Sequence, residues 1–215
     1  LSMDERIMPD VETPVPNRPL TPSPNQRAKR EALIVAAIGV LRTRGLAGCT
    51  SRAITEASGL AKSALHYYFR DTEEIVELAF QRLMTQYIER IRAAADDAPD
   101  PNAALWAATS TYLHLGSTQH SDQLPMLWFE VQLAASRCGD TAALSRLTAQ
   151  TTDMLSAIVA ATGVAAPAAT ARALLASLVG ILVRDALEPI DLDEALRECL
   201  QVLGLAAVDG ARDGD

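Results

Sequence analysis

The chain has 215 residues, of which 49% are hydrophobic, 4% aromatic and 21% charged, with a formal net charge of −8. That length fits one ordinary domain or a small domain fused to a larger one, and sparse aromatics and glycines beside abundant Ala and Leu favour helix over sheet. Three scattered cysteines, Cys49, Cys138 and Cys199, without any CxxC, exclude a disulfide framework and a cysteine-built zinc site, and fit a reducing cytoplasmic setting.

Residues 1–24 hold six of the eleven prolines and almost no apolar periodicity. Such a composition cannot bury enough surface to offset its ordering entropy, so a disordered tail is expected. It also lacks the basic-then-apolar order of a secretory signal. A first helix is expected from Asn25 as cap, with Leu33, Ile34, Ala37, Ile38 and Leu41 on one face and a stop at Arg44-Gly45. Thr50 caps a short helix, SRAITEAS, closed by Gly59, and a second short helix over 61–68 follows almost at once. Two short helices joined through a glycine-containing turn, anchored by Ile54, Leu60, Leu65 and Phe69, make a helix-turn-helix. The run HYYF at 66–69 carries three of the chain's nine aromatic residues. Consecutive helical residues point in different directions, so with Leu65 and Phe69 turned to the core, Lys62, Ser63, Ala64, His66 and Tyr67 are left for something outside it.

Asp71 opens a long helix with an Asp71–Glu74 capping box, carrying Ile75, Leu78, Ala79, Leu83, Tyr87, Ile88 and Ile91 up to about Ala95. Beyond the break at Asp96–Pro101, helices are expected at about 102–119, 122–137, 140–162, 167–188 and 191–204, which gives about nine helices in all. The helix over 167–188 is apolar around its circumference from Ala173 to Val183, too short a run for the ~20 residues that span a bilayer. One side of it can pack in the bundle while another needs a second cover. Ala173, Ser177, Gly180 and Arg184, with Leu196 and Leu200 from the last helix, are therefore the expected homodimer interface. Residues 206–215 read as a flexible C-terminal tail.

Charge separates the chain into two parts. Residues 25–70 hold eight cations against Glu31 and Glu56, a balance of +6, which leaves −14 for the rest. A basic module on an acidic body is the electrostatic footprint of a nucleic-acid-binding domain fused to another function. Residues 25–76 resemble the DNA-binding domain of the TetR family of transcriptional regulators. The resemblance rests on the helix end RTRG at Arg42–Gly45, on Gly48-Cys49-Thr50, on ITEASGL at Ile54–Leu60, on the block from Lys62 to Phe69, and on the acidic DTEE that follows. It implies that Lys62, Ser63 and Ala64 meet bases and nearby backbone, and that His66 and Tyr67 bond phosphates or cover a thymine methyl. It further implies that Thr50 and Ser51 contact phosphates and that Arg52 reads a guanine edge. The chain departs from the family pattern at His66, where an aromatic hydroxyl is more usual, at Ala61, where a capping Ser is common, and at Thr72, where a phosphate-binding Lys often stands.

In the acidic body, Trp106, Tyr112, His114, Met126, Trp128, Phe129 and Glu130 gather large apolar and rare polar side chains, the mixture that small-molecule pockets use. His114 and His120 are six apart and share no helix face, so no metal is implied, and no cofactor either. Cys49 beside a helix cap reads as an inert thiol sooner than as a redox sensor. The reading is an all-α protein: a disordered tail over 1–24, a helix-turn-helix domain over 25–70, and a helical sensing and dimerisation domain over 71–205. Its expected role is that of a non-enzymatic, homodimeric repressor that binds an inverted-repeat operator in double-stranded DNA and is released by a small molecule. The rival is an all-α ligand-binding protein or enzyme with an incidental basic segment, disfavoured because residues 96–215 contain no nucleophile-base or metal-ligand spacing.

Overall fold

The computed structural model describes residues 23–117, 124–139 and 141–205. Within them the chain forms α1 (Pro24–Gly48), α2 (Ser51–Ser58), α3 (Lys62–Tyr68), α4 (Thr72–Asp96), α5 (Pro101–Gly116), α6 (Leu124–Cys138), α7 (Ala142–Ala161), α8 (Pro167–Leu187) and α9 (Leu192–Val202), with no strand among the described residues. The proline-rich segment 1–22 and the tail 206–215 lie outside the described residues.

The expected cap at Asn25 is wrong by two positions. Ser23 caps α1: its hydroxyl accepts from the Gln26 N–H at 3.2 Å and the Gln26 side-chain oxygen accepts from the Ser23 N–H at 2.8 Å. Pro24 occupies the first helical position, where its missing N–H costs nothing. Regular helix in α1 ends at Gly45, whose φ of 65° and ψ of −173° are a conformation that only glycine adopts freely, and one more turn runs on to Gly48. Gly59, at φ 69°, closes α2 in the left-handed conformation that the sequence pattern called for. At α4 the capping box is half made. Asp71 Oδ1 accepts from the Glu74 N–H at 2.8 Å, but the Glu74 carboxylate reaches back to the Arg70 N–H, at 2.7 Å, instead of to Asp71.

Two apolar cores meet along α4, which at 25 residues is about 37 Å long. The first joins Leu33, Ala37 and Leu41 of α1, Ile54, Leu65 and Phe69 of the two short helices, and Ile75 to Met84 of α4, with Leu127, Leu144 and Leu147 from α6 and α7. The second joins Ile91 and Ala95 of α4 to α5, α7, α8 and α9. The first half of α4 thus packs mainly on α1, and its second half in the bundle, mainly on α5. Arg82 of α4 and Glu31 of α1 pair across the outside of the first core.

Buried polar groups pin the second core. Asp185 of α8 is almost fully buried, and its carboxylate accepts from the Ser117 hydroxyl at 2.7 Å and from the Ile190 N–H at 3.4 Å. One side chain therefore fixes the end of α5 and the α8–α9 turn to α8. No helix among the described residues is long and apolar enough to cross a membrane.

Candidate nucleic-acid interface and cavity

The outward face of the short-helix pair is polar and basic because its apolar members are drawn inward. Leu65 is fully buried and Phe69 is 2% exposed, which fixes the rotation of α3 and leaves Lys62, Ser63, His66 and Tyr67 exposed, with Ala64 half-buried. Ala61 precedes α3 without a side-chain cap, the structural consequence of alanine where a hydroxyl would serve. The end of α3 is held to α1 by two side chains one turn apart. Gln26 donates to the Tyr67 hydroxyl at 2.9 Å, and the Arg30 guanidinium lies 5.0 Å above the Phe69 ring. Tyr68 packs edge-on against Tyr67, with centroids 4.9 Å apart. Tyr67 is therefore oriented by Gln26, and its hydroxyl proton remains available to an acceptor outside.

On α2, the Thr50 hydroxyl accepts from the Ala53 N–H at 3.2 Å, so Thr50 has a capping role whatever else it meets. Ser51 is half-buried at the start of the same helix. Arg52 is exposed and donates to Glu56 at 2.7 Å, one turn away. Exposed pairs of this kind are weak in water, so Arg52 exchanges that partner readily. Thr50, Ser51 and Arg52 open α2, and Lys62, Ser63 and Ala64 open α3.

Cys49, beside this surface, is 6% exposed, and burial pushes its thiol from the ordinary 9.0 up to about 11. A thiol so placed is protonated at neutral pH and a poor nucleophile.

The body contains a cavity of about 520 Å³ between α4, α5, α6, α7 and α8. Tyr112, Trp128 and Phe129 line it, as expected from the sequence. Trp106 does not; it packs against the second core. His114 does not either. Its Nδ1 donates to the Ser110 carbonyl at 2.9 Å and its Nε2 lies 3.9 Å from Asp193, which ties α5 to α9. The side chain of Met126 lies outside the described residues. Glu130 is on the same helix as Trp128 and Phe129 but points elsewhere: its carboxylate accepts from the Leu46 N–H, at 2.6 Å, at the break in α1. The bare Cα of Gly45 makes room for it, since a Cβ there would stand 3.0 Å from one carboxylate oxygen and 3.1 Å from the other.

The remaining walls come from α4, α7 and α8, which carry none of the pocket residues expected from the sequence. Met84, Tyr87 and Ile88 of α4, Thr148, Thr151 and Thr152 of α7, and Arg172, Leu175 and Val179 of α8 all face the cavity. The all-round apolarity of α8 thus has three causes. Leu174 and Leu178 are core, Leu175 and Val179 are cavity wall, and Ala173, Gly180, Val183, Arg184 and Leu187 are exposed. Ser177 is half-buried, its hydroxyl donating to the Ala173 carbonyl at 2.9 Å. Leu196 and Leu200, expected at the interface, are both fully buried inside the protomer and have no surface left for a mate. Exposed apolar area on α9 is supplied by Val202 instead, 85% exposed.

Among the described residues no group of three or more His, Cys, Asp or Glu could hold a metal ion. Residues 33–79 match the family model described as bacterial regulatory proteins, tetR family. The fold is similar to that of solved TetR-family regulators. One is a putative TetR-family transcriptional regulator from Rhodococcus sp., with a TM-score of 0.66 and 19% identity over 83% of this chain and 97% of that one. Another is the fatty acid degradation regulator FadR from Bacillus halodurans, with a TM-score of 0.64 and 17% identity over 89% of this chain and 98% of that one. A third is SmeT, the repressor of the Stenotrophomonas maltophilia multidrug efflux pump SmeDEF, with a TM-score of 0.60 and 19% identity over 83% of this chain and 91% of that one.

Proposed function

With its helix-turn-helix a TetR-family module and its fold that of TetR-family regulators, we propose that this chain is a homodimeric repressor that binds an inverted-repeat operator and is released by a small molecule. The observation that carries the DNA-binding half is the rotation of α3. Burial of Leu65 and Phe69 leaves Lys62, Ser63, His66 and Tyr67 on one exposed face of α3, and Arg52 is exposed at the start of α2. In a helix-turn-helix such a face enters the major groove, cations and hydroxyls fix register on phosphates, and a guanidinium reads guanine through its two-pronged donor geometry. Thr50 and Ser51 act on phosphate, and Arg52 acts on a base.

Support for release by a ligand comes from α6. Trp128, Phe129 and Gln132 of that helix line the cavity, while Glu130 between them bonds the Leu46 N–H of the DNA-binding module. A ligand that prefers one position of α6 thereby prefers one position of α1, and a preference of about 1–3 kcal/mol changes operator affinity some 5–150-fold. Support for a two-fold mate comes from Val183, Leu187 and Val202, which leave apolar surface exposed on α8 and α9, with the small residues Ala173 and Gly180 also exposed on α8.

Selection of duplexes from a random library by the purified full-length chain tests this reading. Enrichment of an inverted repeat is expected, because half-site symmetry mirrors protein symmetry. Failure to enrich any motif at several salt concentrations contradicts it.

A further inference from the structure

The cavity has a polarity that points to one class of ligand, on the premise that it is the effector site. Its deep walls are apolar: Met84, Leu147 and Leu182 are buried, and Tyr87, Ile88 and Trp128 close the remainder. Its exposed lining residues are Gln132, Thr148, Arg172 and Ala176, so the polar groups gather at the mouth. Among the described lining residues Arg172 is the single cation and none is acidic. Arg172 has no ion-pair partner among the described residues.

A second donor is open inside. The Tyr87 hydroxyl donates to the Tyr112 carbonyl at 2.6 Å, but the Tyr112 hydroxyl has no hydrogen-bond partner among the described residues. Burial pushes that phenol up to about 12, so it remains a neutral donor throughout the physiological range. Tyr112 is half-buried in the cavity wall, so its hydroxyl can donate to an acceptor on a ligand. Thr151 and Thr152 offer no donor, because their protons go to the Leu147 carbonyl at 3.0 Å and the Thr148 carbonyl at 2.8 Å.

We propose that the cavity takes an apolar-bodied carboxylate, its tail among Met84, Tyr87, Ile88 and Trp128 and its carboxylate at Arg172. The guanidinium supplies parallel N–H donors that match a carboxylate's two oxygens, and the absence of acidic lining residues removes the repulsion that would select a cation. Tyr112 favours a ligand with a further acceptor along the body, such as a hydroxyl, ether or carbonyl oxygen.

The test uses the full-length protein and three probes that share one tail and differ in head group: phenyloctanoate, phenyloctanol and phenyloctylamine. Calorimetric titration of each, against wild type and Arg172→Gln, reads the head-group preference. Arg172 is exposed, so the variant folds normally, which circular dichroism checks. Phenyloctanoate should bind wild type about five- to tenfold more tightly than the alcohol, the range for a charge-assisted pair at a partly solvated site. Arg172→Gln should remove that margin and leave the alcohol unchanged. Equal or tighter binding of the alcohol or the amine, an undiminished margin in Arg172→Gln, or no binding by any probe overturns the assignment. Carboxylate binding that leaves affinity for a selected operator unchanged keeps the ligand class and refutes the release mechanism instead.

Discussion

Glu130→Ala is the sharpest perturbation of the link between the two halves. In the wild type the Glu130 carboxylate accepts from the Leu46 N–H at 2.6 Å, just past the left-handed break at Gly45. A hydrogen bond with a charged acceptor contributes about 1.5–3 kcal/mol, and solvent exposure of Glu130 reduces that to about 1 kcal/mol here. Gly45→Ala attacks the same junction from the other side. Its φ of 65° strains any side chain, at about 1–3 kcal/mol, and its Cβ would stand 3.0 Å from the Glu130 carboxylate. With Glu130 removed, the contact part of that penalty disappears and only the backbone strain remains. The double variant should therefore be less unstable than the sum of the two single variants, a coupling that denaturant titrations followed by tryptophan fluorescence can read. Operator release by ligand should weaken in Glu130→Ala even where DNA affinity without ligand is retained. Strict additivity, together with an unchanged ligand effect on operator binding, refutes the claim that this contact joins cavity and DNA-binding module.

Two further outcomes follow from the packing. Cys49 is buried with its thiol raised from 9.0 to about 11, so the neutral form favours the folded state; that contribution is complete below pH 9.0 and is lost as pH rises toward about 11. Denaturation midpoints should fall through that window more steeply in wild type than in Cys49→Ala, and alkylation at neutral pH should be slow until the chain is unfolded. Gly180→Arg places a charge on the exposed face of α8 at a site where a Cβ meets no atom within 4 Å, so the protomer should fold while sedimentation shows monomer. A stable Gly180→Arg dimer moves the interface off this face.

The helices were legible because periodicity and caps are local. Gly59, Thr50 and the acids after Asp71 each act within a few residues, and the structure differs from those expectations by small offsets such as Ser23 for Asn25. The rotation of α3 was legible for the same reason, since Leu65 and Phe69 are the apolar pair one turn apart. What periodicity cannot report is the partner against which an apolar face packs. On α8 the same residue types serve as core, cavity wall and exposed face, and on α9 the best apolar stripe, Leu196 and Leu200, turned inward. Glu130 read as a polar member of a pocket because its partner, Leu46, is 84 residues away, and nothing in either segment signals the other. Arg172 borders an apolar run, where nothing in the sequence marks it; its place as the single cation among the described cavity-lining residues depends on five helices converging.

The central claim is sequence-specific DNA binding through the exposed face of α2 and α3, and a competition titration tests it most directly. The full-length protein is titrated against its selected inverted repeat and against a shuffled duplex of equal composition, at rising salt, as wild type and as Arg52→Ala. The account predicts one or more dimers per inverted repeat, affinity for both duplexes falling with salt as counterions return to the phosphates, a clear wild-type preference for the inverted repeat, and relaxed preference at one base of each half-site in Arg52→Ala. Equal wild-type affinity for the two duplexes at every salt concentration would contradict it.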